Sequence, residues 1–323
     1  MEFCGTVKLN TAETELALEN FYKSLTNTSA TSEPAEKSAL EANRRTLIFS
    51  FIHNQGISML FVIDIGNTNT VTGFYNGDQL VATWRTQSDR GSTADELAVR
   101  YQALLAMHGV LIQDIDAVVI SSVMPVLETA WLACCRRYFN AGGDTRIMSV
   151  SGHNLTHLIT VAMPNPGEVG ADRLVNAIAA YERFQRGLIV VDFGTAITFD
   201  CVNARREYIG GVIVPGIGIA LEALATRTAK LPYIDISDPP KRVIGNSTVT
   251  AMTSGILHGY GGLIDGLTRD LGQEMTDMHN SPPLVVATGG MAGMIAPYTT
   301  SLTHIDPLLT LTGLKIIHER TTA

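Results

Sequence analysis

The apolar pattern of the chain begins abruptly at Met59. Before this residue, positions 11–43 are dominated by Ser, Thr, Glu and Asn, and no strong motif occurs. Such a composition is typical of a disordered or weakly helical tail, because it offers too little apolar surface to bury. Two interpretations of residues 1–58 stay open: a native N-terminal extension, or an artefact of gene prediction with Met59 as the true start.

From residue 60 the pattern predicts a β-hairpin that follows a buried strand. Residues 60–65 form a short apolar run rich in β-branched side chains, and this run ends at the turn Gly66-Asn67-Thr68. Strands are also predicted at residues 70–75 and 79–86, because Asn76-Gly77-Asp78 between two alternating apolar segments is a strong hairpin signal.

Helices and a further strand are predicted next. Thr93, with Glu96 three residues later, has the pattern of a capping box and predicts a helix that ends near Met107. The apolar run at residues 117–122 predicts a buried strand, and residues 127–138 a helix.

The same order of elements restarts at residue 188. Strands are predicted at residues 188–193, 197–202 and 208–214. A later apolar segment, residues 284–287, leads into a third glycine turn at Thr288-Gly289-Gly290.

The two openings of this pattern resemble each other. Asp64-Ile65-Gly66-Asn67-Thr68 and Asp192-Phe193-Gly194-Thr195 each place a carboxylate late in a buried strand and a glycine-hydroxyl turn after it. We interpret the match as an internal duplication with two facing phosphate loops. The predicted fold class is α/β, with one lobe at residues 59–175 and a second at residues 176–323.

Composition narrows the function classes. The 323 residues are 46% hydrophobic and 17% charged, with a net charge of −8 and no run of Lys and Arg, so nucleic acid is not an expected partner. The four cysteines form no C-x-x-C pair, which favours a reducing compartment. No secretory signal or membrane span is recognised, so a cytoplasmic protein without a membrane partner is expected.

The first glycine turn can bind phosphate. Glycine lets the backbone approach a ligand closely, so that N–H groups can point at phosphate oxygens. Asp64 beside the turn can hold Mg²⁺ through water. By itself the motif fits equally well a hairpin turn whose Asp and Thr bond only to local backbone. The second copy at Asp192 shifts the balance towards function.

A candidate base lies between the two turns. A short turn at residues 165–170 leads into Ala171-Asp172-Arg173, followed by helical apolar spacing. Asp172 can be a residue of the first helical turn that interacts favourably with the helix dipole. Alternatively, it accepts the proton of an attacking hydroxyl while Arg173 binds an anionic substrate. The residues alone favour the first interpretation.

Paired strand-Asp-x-Gly-x-Thr turns resemble the acetate and sugar kinase, Hsp70 and actin superfamily. This resemblance implies two ribonuclease-H-like lobes, each with a mixed sheet flanked by helices, and ATP between them. A P-loop kinase is disfavoured because no Walker sequence is present.

A closer resemblance covers essentially everything after residue 58. Gly170-Ala171-Asp172-Arg173 between the two turns is similar to the type III pantothenate kinase pattern. The likeness includes residues 59–70 and 191–198, extends through residues 210–216, 227–232 and 245–248, and ends near Gly313. It implies an ATP-dependent kinase that phosphorylates pantothenate in the first step of coenzyme A synthesis, commonly as a homodimer with its substrate site near the interface.

The resemblance also implies roles for individual residues. Asp172 is the expected general base, Asp192 part of a monovalent-cation site for K⁺ or NH₄⁺, and Asp64 the water-mediated Mg²⁺ ligand. The expected ATP-binding residues are Asp64, Ile65, Gly66, Asn67, Thr68, Asn69, Thr70 and Thr195. The expected pantothenate-binding residues are Gly170, Ala171, Asp172, Arg173, Thr248 and Met163.

Two positions depart from the family pattern. Met163 stands where many members carry Tyr, and a thioether cannot donate the hydrogen bond of a phenol. Ile197 stands where a Thr is common, so that a hydroxyl is missing from the second loop.

Three other functions stay open. A sugar or acetate kinase of the same superfamily is disfavoured by the segment from Gly170 to Arg173. A catalytically weak regulatory relative is disfavoured by the retained acidic residues Asp64, Asp172 and Asp192. An actin-like filament protein would need polymerising surfaces, and the sequence identifies none.

Overall fold

The computed structural model describes residues 59–140, 143–279 and 281–322. The predictions for residues 1–58 lie outside the described residues. The first sheet has the spatial order β3-β2-β1-β4-β5. Its strands are β1 (Met59–Ile65), β2 (Asn69–Asn76), β3 (Gln79–Gln87), β4 (Ala117–Ser122) and β5 (Arg146–Ser149).

The second sheet repeats this arrangement and adds an edge strand, in the order β11-β10-β7-β8-β9-β6. Its strands are β6 (Thr160–Val161), β7 (Leu188–Phe193), β8 (Ala196–Val202), β9 (Glu207–Pro215), β10 (Leu284–Thr288) and β11 (His304–Ile305). In both sheets the first strand pairs antiparallel with the second and parallel with the fourth of the repeat. This connectivity is the ribonuclease-H-like arrangement, so the predicted fold class is confirmed.

Helices flank both sheets. They are α1 (Ala94–Ala106), α2 (Pro125–Cys134), α3 (Ala171–Phe184), α4 (Ile217–Arg227), α5 (Thr248–His279), α6 (Ala292–Ile295) and α7 (Leu309–Thr322). The predicted capping box at Thr93 is present, with both reciprocal bonds to Glu96. The helix predicted at residues 127–138 begins at Pro125 and ends in a π-helical turn, Cys135–Phe139.

One apolar core joins the two sheets. Side chains alternate between the faces of a strand, so Leu60 and Val62 share the face of β1 on which Asp64 lies. Leu188 and Val190 share the face of β7 on which Asp192 lies. These four apolar residues belong to a single buried cluster with α3 and α7. Both aspartates therefore mark the rim of the core that the lobes share.

The other face of the first sheet packs on α1 and α2. Phe61 lies 5.7 Å from the Tyr101 ring and stacks on Phe139 at the same centroid distance, and Trp131 packs against Tyr101. These aromatic rings hold one face of the sheet, while the opposite face packs in the shared core and reaches the cleft at Asp64.

The C-terminal helix lies against the first sheet although it follows the second in sequence. The Leu311 side chain reaches the position of Gly73, where an added Cβ atom would lie 3.1 Å from it, and Lys315 binds Asp78 in the hairpin turn. The lobe boundary at residue 175 stays a prediction. None of the helices in the described ranges is both long and apolar enough to span a membrane.

Candidate active site

Asp64 lies next to the end of β1, in a row of side chains that crosses the first sheet. It pairs with Val71 on β2 and Ser121 on β4, and Val71 pairs in turn with Arg85 on β3. Cross-strand partners share a face of the sheet. The buried Ser121 hydroxyl lies beside Asp64, and its interaction with the carboxylate lowers the Asp64 pKa, so a second oxygen lies next to the carboxylate.

Asp192 occupies the equivalent place in the second lobe. It pairs with Thr198 on β8 and Thr288 on β10. Asn176 of α3 donates a hydrogen bond to its carboxylate at 3.0 Å, and Thr310 of α7 donates to Asn176 at 2.7 Å. Helices from the shared core thus hold Asp192 in place.

The two glycine turns meet at their hydroxyl groups. Thr68 Oγ1 lies 3.0 Å from Thr195 Oγ1, although the two residues are 127 positions apart. In each turn the glycine N–H donates to a carbonyl, from Gly66 to Asn69 and from Gly194 to Ala196, at 3.1 Å in both cases. The two glycine turns therefore face each other across the cleft, as the sequence predicts.

Asp172 lies in the first turn of α3, with Gly170 as the N-cap. The Arg173 N–H donates to the Asp172 carboxylate at 2.9 Å. A Cβ atom at Gly170 would lie 2.5 Å from that carboxylate, so glycine at this position gives the carboxylate its room. Burial raises the pKa of Asp172, while the bond from Arg173 opposes the rise.

Arg173 is fixed by a buried partner that the sequence did not indicate. Its Nε and Nη2 atoms both lie 2.7 Å from Asp200, whose side chain is fully buried. Asp200 also accepts hydrogen bonds from Tyr208 at 2.6 Å and Thr198 at 2.8 Å. The guanidinium of Arg173 is therefore rigidly placed beside Asp172.

The electrostatics indicate that the three predicted carboxylates lie close enough to repel one another. Burial, together with repulsion from Asp172 and Asp192, raises the pKa of Asp64 to about 8. Burial and repulsion from Asp172 and Asp200 raise the pKa of Asp192 to about 7. Arg85 lowers the pKa of both groups. The cleft thus holds more negative than positive charge, an arrangement that suits cations.

The oxygen atoms of the cleft are too few to enclose a metal ion alone, and they fit a cation that is also bound by a phosphate ligand. In the described part of the chain, no three His, Cys, Asp or Glu side chains group as metal ligands. Asp64 with the neighbouring Ser121 hydroxyl fits a Mg²⁺ ion that keeps water and phosphate oxygens as its other ligands.

The other predicted site residues divide into two groups. Ile65 is buried at the end of β1, Asn67 is exposed in the turn, Asn69 begins β2, and buried Thr70 bonds to Ser88 at 2.9 Å. These four belong to the first turn or its support, and Ala171 begins α3.

Met163 and Thr248 belong to the second group. Met163 is partly buried against the shared core, seven residues before Gly170. Thr248 is exposed at the start of α5. No hydrogen bond within the described residues connects Thr248 to the carboxylates of this cleft.

Four functional candidates were missed by the sequence reasoning: Asn176, Asp200, Ser121 and Arg85. Asn176 could have been found as a polar residue on the otherwise apolar stripe of α3. Asp200 lies in an apolar strand without a glycine turn, and its link to Arg173 is visible only in three dimensions.

Comparison with known proteins identifies the family. A model of the type III pantothenate kinase family matches residues 60–270. The type III pantothenate kinase of Desulfotalea psychrophila is 50% identical over 259 residues, which cover 80% of this chain and 97% of that protein. The one of Pelobacter propionicus is 45% identical over 262 residues, or 81% of this chain and 99% of that protein.

Solved structures with related folds are more distant. An archaeal actin homolog aligns with a TM-score of 0.44 at 15% identity, covering 81% of this chain and 99% of that one. A putative N-acetylglucosamine kinase from Porphyromonas gingivalis aligns with a TM-score of 0.45 at 12% identity, covering 82% of this chain and 100% of that one.

The family model spans more than half of the chain, and both relatives match over nearly their whole length. The chain belongs to the type III pantothenate kinase family.

Proposed function

We propose that this protein transfers the γ-phosphoryl group of ATP to the primary hydroxyl of pantothenate, the first step of coenzyme A synthesis. One observation carries the proposal. Asp64, Asp172 and Asp192 interact with one another beside two glycine turns whose threonine hydroxyls, Thr68 and Thr195, are in contact. Family membership supplies the substrate.

The two turns bind the phosphate chain of ATP from opposite lobes. The first turn, from Asp64 to Thr70, offers backbone N–H groups and the Thr68 hydroxyl, and Thr195 offers a hydroxyl from the second lobe. Phosphoryl transfer depends mainly on alignment and charge neutralisation. Contacts from both turns to the phosphate chain align the γ-phosphorus with the acceptor hydroxyl.

Asp172 acts as the general base, and Gly170 to Arg173 hold pantothenate. The Asp172 carboxylate takes the proton of the pantothenate hydroxyl as the new O–P bond forms. The bond from the γ-phosphorus to the β-γ bridging oxygen breaks, and ADP is released. The pKa of Asp172, raised by burial, makes it a stronger base near neutral pH than an exposed aspartate. Arg173, held by Asp200, provides positive charge for the pantothenate carboxylate.

Two cations complete the site. Asp64 would hold Mg²⁺, and Asp192 would hold a monovalent cation, K⁺ or NH₄⁺; the two ions would supply positive charge that offsets the charge of the phosphates and carboxylates. Asn176 donates a hydrogen bond to the Asp192 carboxylate and accepts one from Thr310, and these two bonds fix the orientation of the carboxylate.

We further propose a cytoplasmic homodimer in which Thr248 reaches the pantothenate site of the other subunit. Thr248 is exposed and begins the 32-residue helix α5. Near it lie exposed apolar side chains, including Val243 at 63% and Ile244 at 87% exposure, which suit burial against another protein surface. Met163 covers the apolar part of pantothenate without donating a hydrogen bond.

A product assay tests the proposal. The purified chain is incubated with MgATP and pantothenate in K⁺, NH₄⁺ or Na⁺, and the product is identified by mass spectrometry. We expect 4'-phosphopantothenate in K⁺ and NH₄⁺ and at least tenfold less in Na⁺. Absence of product under all three conditions contradicts the function and favours a regulatory relative. Equal rates in Na⁺ contradict only the cation site at Asp192.

A further inference from the structure

Arg85 lies in the same row as Asp64, two strands away. The register Asp64–Val71–Arg85 across β1, β2 and β3 puts all three side chains on the cleft face of the first sheet. Adjacent strands are about 4.8 Å apart, so the Arg85 backbone lies roughly 10 Å from that of Asp64. This distance is within the reach of an extended arginine side chain.

The guanidinium of Arg85 crosses to the second lobe. A Cβ atom at Gly290 would lie 2.9 Å from Arg85 Nη1 and 3.3 Å from Nη2. Gly290 belongs to the third glycine turn, which follows β10 beside Asp192. Arg85 therefore spans the cleft between the first phosphate turn and a glycine turn of the opposite lobe.

No carboxylate in the described ranges forms an ion pair with Arg85, in contrast to Arg173, which Asp200 holds. Arg85 is exposed on β3. Its charge nevertheless acts on both Asp64 and Asp192, whose pKa values are raised mainly by burial and lowered by Arg85. A cation at this position with no fixed partner is available to a bound anion.

The fold itself does not require a cation there. In the second lobe, the residue that corresponds to Arg85 in the row Asp192–Thr198–Ile213 is the exposed Ile213. The two sheets have the same strand connectivity, so this position of the fold accepts an apolar side chain as well as a cation.

We propose that Arg85 binds phosphate oxygens of the nucleotide across the cleft and is a further ATP-binding residue of this enzyme. The inference rests on the proposed ATP-dependent function. A guanidinium presents two parallel N–H donors that match phosphate geometry. Asp64, Asp172 and Asp192 interact with one another in this cleft, and whichever of them is ionised repels the phosphate chain. The guanidinium of Arg85, which is exposed on β3, offsets this repulsion when it binds the phosphates.

The test measures nucleotide affinity in the absence of pantothenate. Calorimetric binding of ATP with Mg²⁺ is compared for the full chain, Arg85→Gln and Arg85→Lys. We expect Arg85→Gln to weaken ATP binding about 10-fold to 100-fold, because it removes charged hydrogen bonds, and Arg85→Lys to recover part of the loss. Adenosine affinity should change less than twofold, since adenosine has no phosphate.

Arg100→Gln is the matched control. Arg100 is an exposed arginine on α1, on the opposite face of the same sheet, and its replacement should leave ATP affinity unchanged. ATP affinity within twofold of wild type in Arg85→Gln overturns the inference, as does an equal loss for adenosine or a wild-type chain that fails to bind ATP. A wild-type chain that binds ATP but phosphorylates no pantothenate contradicts the proposed function and leaves the Arg85 result valid.

Gly290→Ala gives an independent check of the position of the guanidinium. Its new Cβ atom would displace Arg85. We expect a loss of ATP affinity in the wild-type background and at most a twofold further loss when Arg85→Gln is already present. An equal loss in both backgrounds contradicts the placement of Arg85 against Gly290.

Discussion

At the residue scale, the site concentrates acidic groups at a cost to the stability of the fold. Asp64 and Asp192 hold raised pKa values of about 8 and 7 because they are buried and repel neighbouring carboxylates. A buried charge without a partner destabilises the folded state. Such a cluster is expected where cations and phosphates supply the missing interactions during function.

The pH dependence of stability follows from the direction of these shifts. The folded chain keeps a proton on Asp64 up to about pH 8, whereas the unfolded chain releases it near the ordinary value of about 3.9. The folded state thus binds more protons between these values, and this contribution to the free energy of unfolding falls as the pH rises through that window.

Asp64→Asn should therefore raise the melting temperature of the ligand-free protein, and more at pH 8.5 than at pH 5. A gain of a few degrees at the higher pH is expected. Differential scanning fluorimetry at both values measures it, with Asp270→Asn, at a carboxylate 68% exposed, as the control. A gain that does not grow with pH contradicts the unfavourable charge at Asp64.

Asp172→Asn should lower kcat about 10²-fold to 10⁴-fold, because the amide cannot accept the hydroxyl proton. ATP binding and the melting temperature should stay close to wild type, since Asn fits beside Gly170 and Arg173. Steady-state kinetics with calorimetric ATP binding measures both quantities. A kcat within threefold of wild type would remove Asp172 from the role of base.

The sequence indicated the three cleft aspartates but not their supports. Asp64, Asp172 and Asp192 each lie in a recognisable local pattern of strand, turn or helix start. Asn176, Asp200 and Arg85 act through contacts between elements far apart in sequence, as in the 2.7 Å contact of Arg173 with Asp200 across 27 positions. Periodicity describes a single element, so it could not predict these pairs.

At the element scale, close approach of the backbone fixes the second phosphate turn. The Gly216 N–H donates to the Thr195 carbonyl at 3.1 Å, and a Cβ atom at Gly216 would lie 2.1 Å from that oxygen. The start of α4 is thereby attached directly to the turn that carries Thr195.

Gly216→Ala should displace this turn, lower the melting temperature and weaken ATP binding at least tenfold. Gly218→Ala, two residues further on in α4, is the matched control because an added Cβ atom there meets open space. It should be neutral or stabilise the helix by up to about 1 kcal/mol. Equal effects of the two substitutions on ATP binding would contradict the role of the Gly216 contact.

Elements with strong local signals were predicted well, and short or edge elements were not. The strand at residues 117–122 matches Ala117–Ser122, and the capping box at Thr93 is present. β5 and β6, of four and two residues, carry too few positions for a period to appear.

At the scale of the whole molecule, the shared core explains how two distant turns become one site. Apolar residues of β1 and β7 pack with α3 and α7 in one cluster. Asp172, Asn176 and Thr310 reach the cleft from these two helices. The sequence predicted two lobes and their facing turns, but not that the last helix returns to the first sheet, since that packing depends on complementary surfaces remote in sequence.

The proposed dimer predicts complementation between inactive variants. If Thr248 serves the site of the other subunit, a heterodimer of Asp172→Asn and Thr248→Val has one intact site and one doubly altered site. Mixing the variants under exchange conditions should restore up to about a quarter of wild-type activity, since half of randomly formed dimers are heterodimers with one intact site of two. Sedimentation at the assay concentration should show a dimer. Activity no greater than the average of the separate variants would contradict the trans arrangement.

The central claim is that the two acidic glycine turns hold one triphosphate between them while Asp172 faces the acceptor alcohol. A crystal structure with a non-hydrolysable ATP analogue, Mg²⁺ and pantothenate tests it most directly. We expect the phosphates between Gly66 and Thr195, and the pantothenate hydroxyl within hydrogen-bond distance of Asp172. A nucleotide bound outside this cleft, or pantothenate with its hydroxyl directed away from Asp172, would contradict the claim.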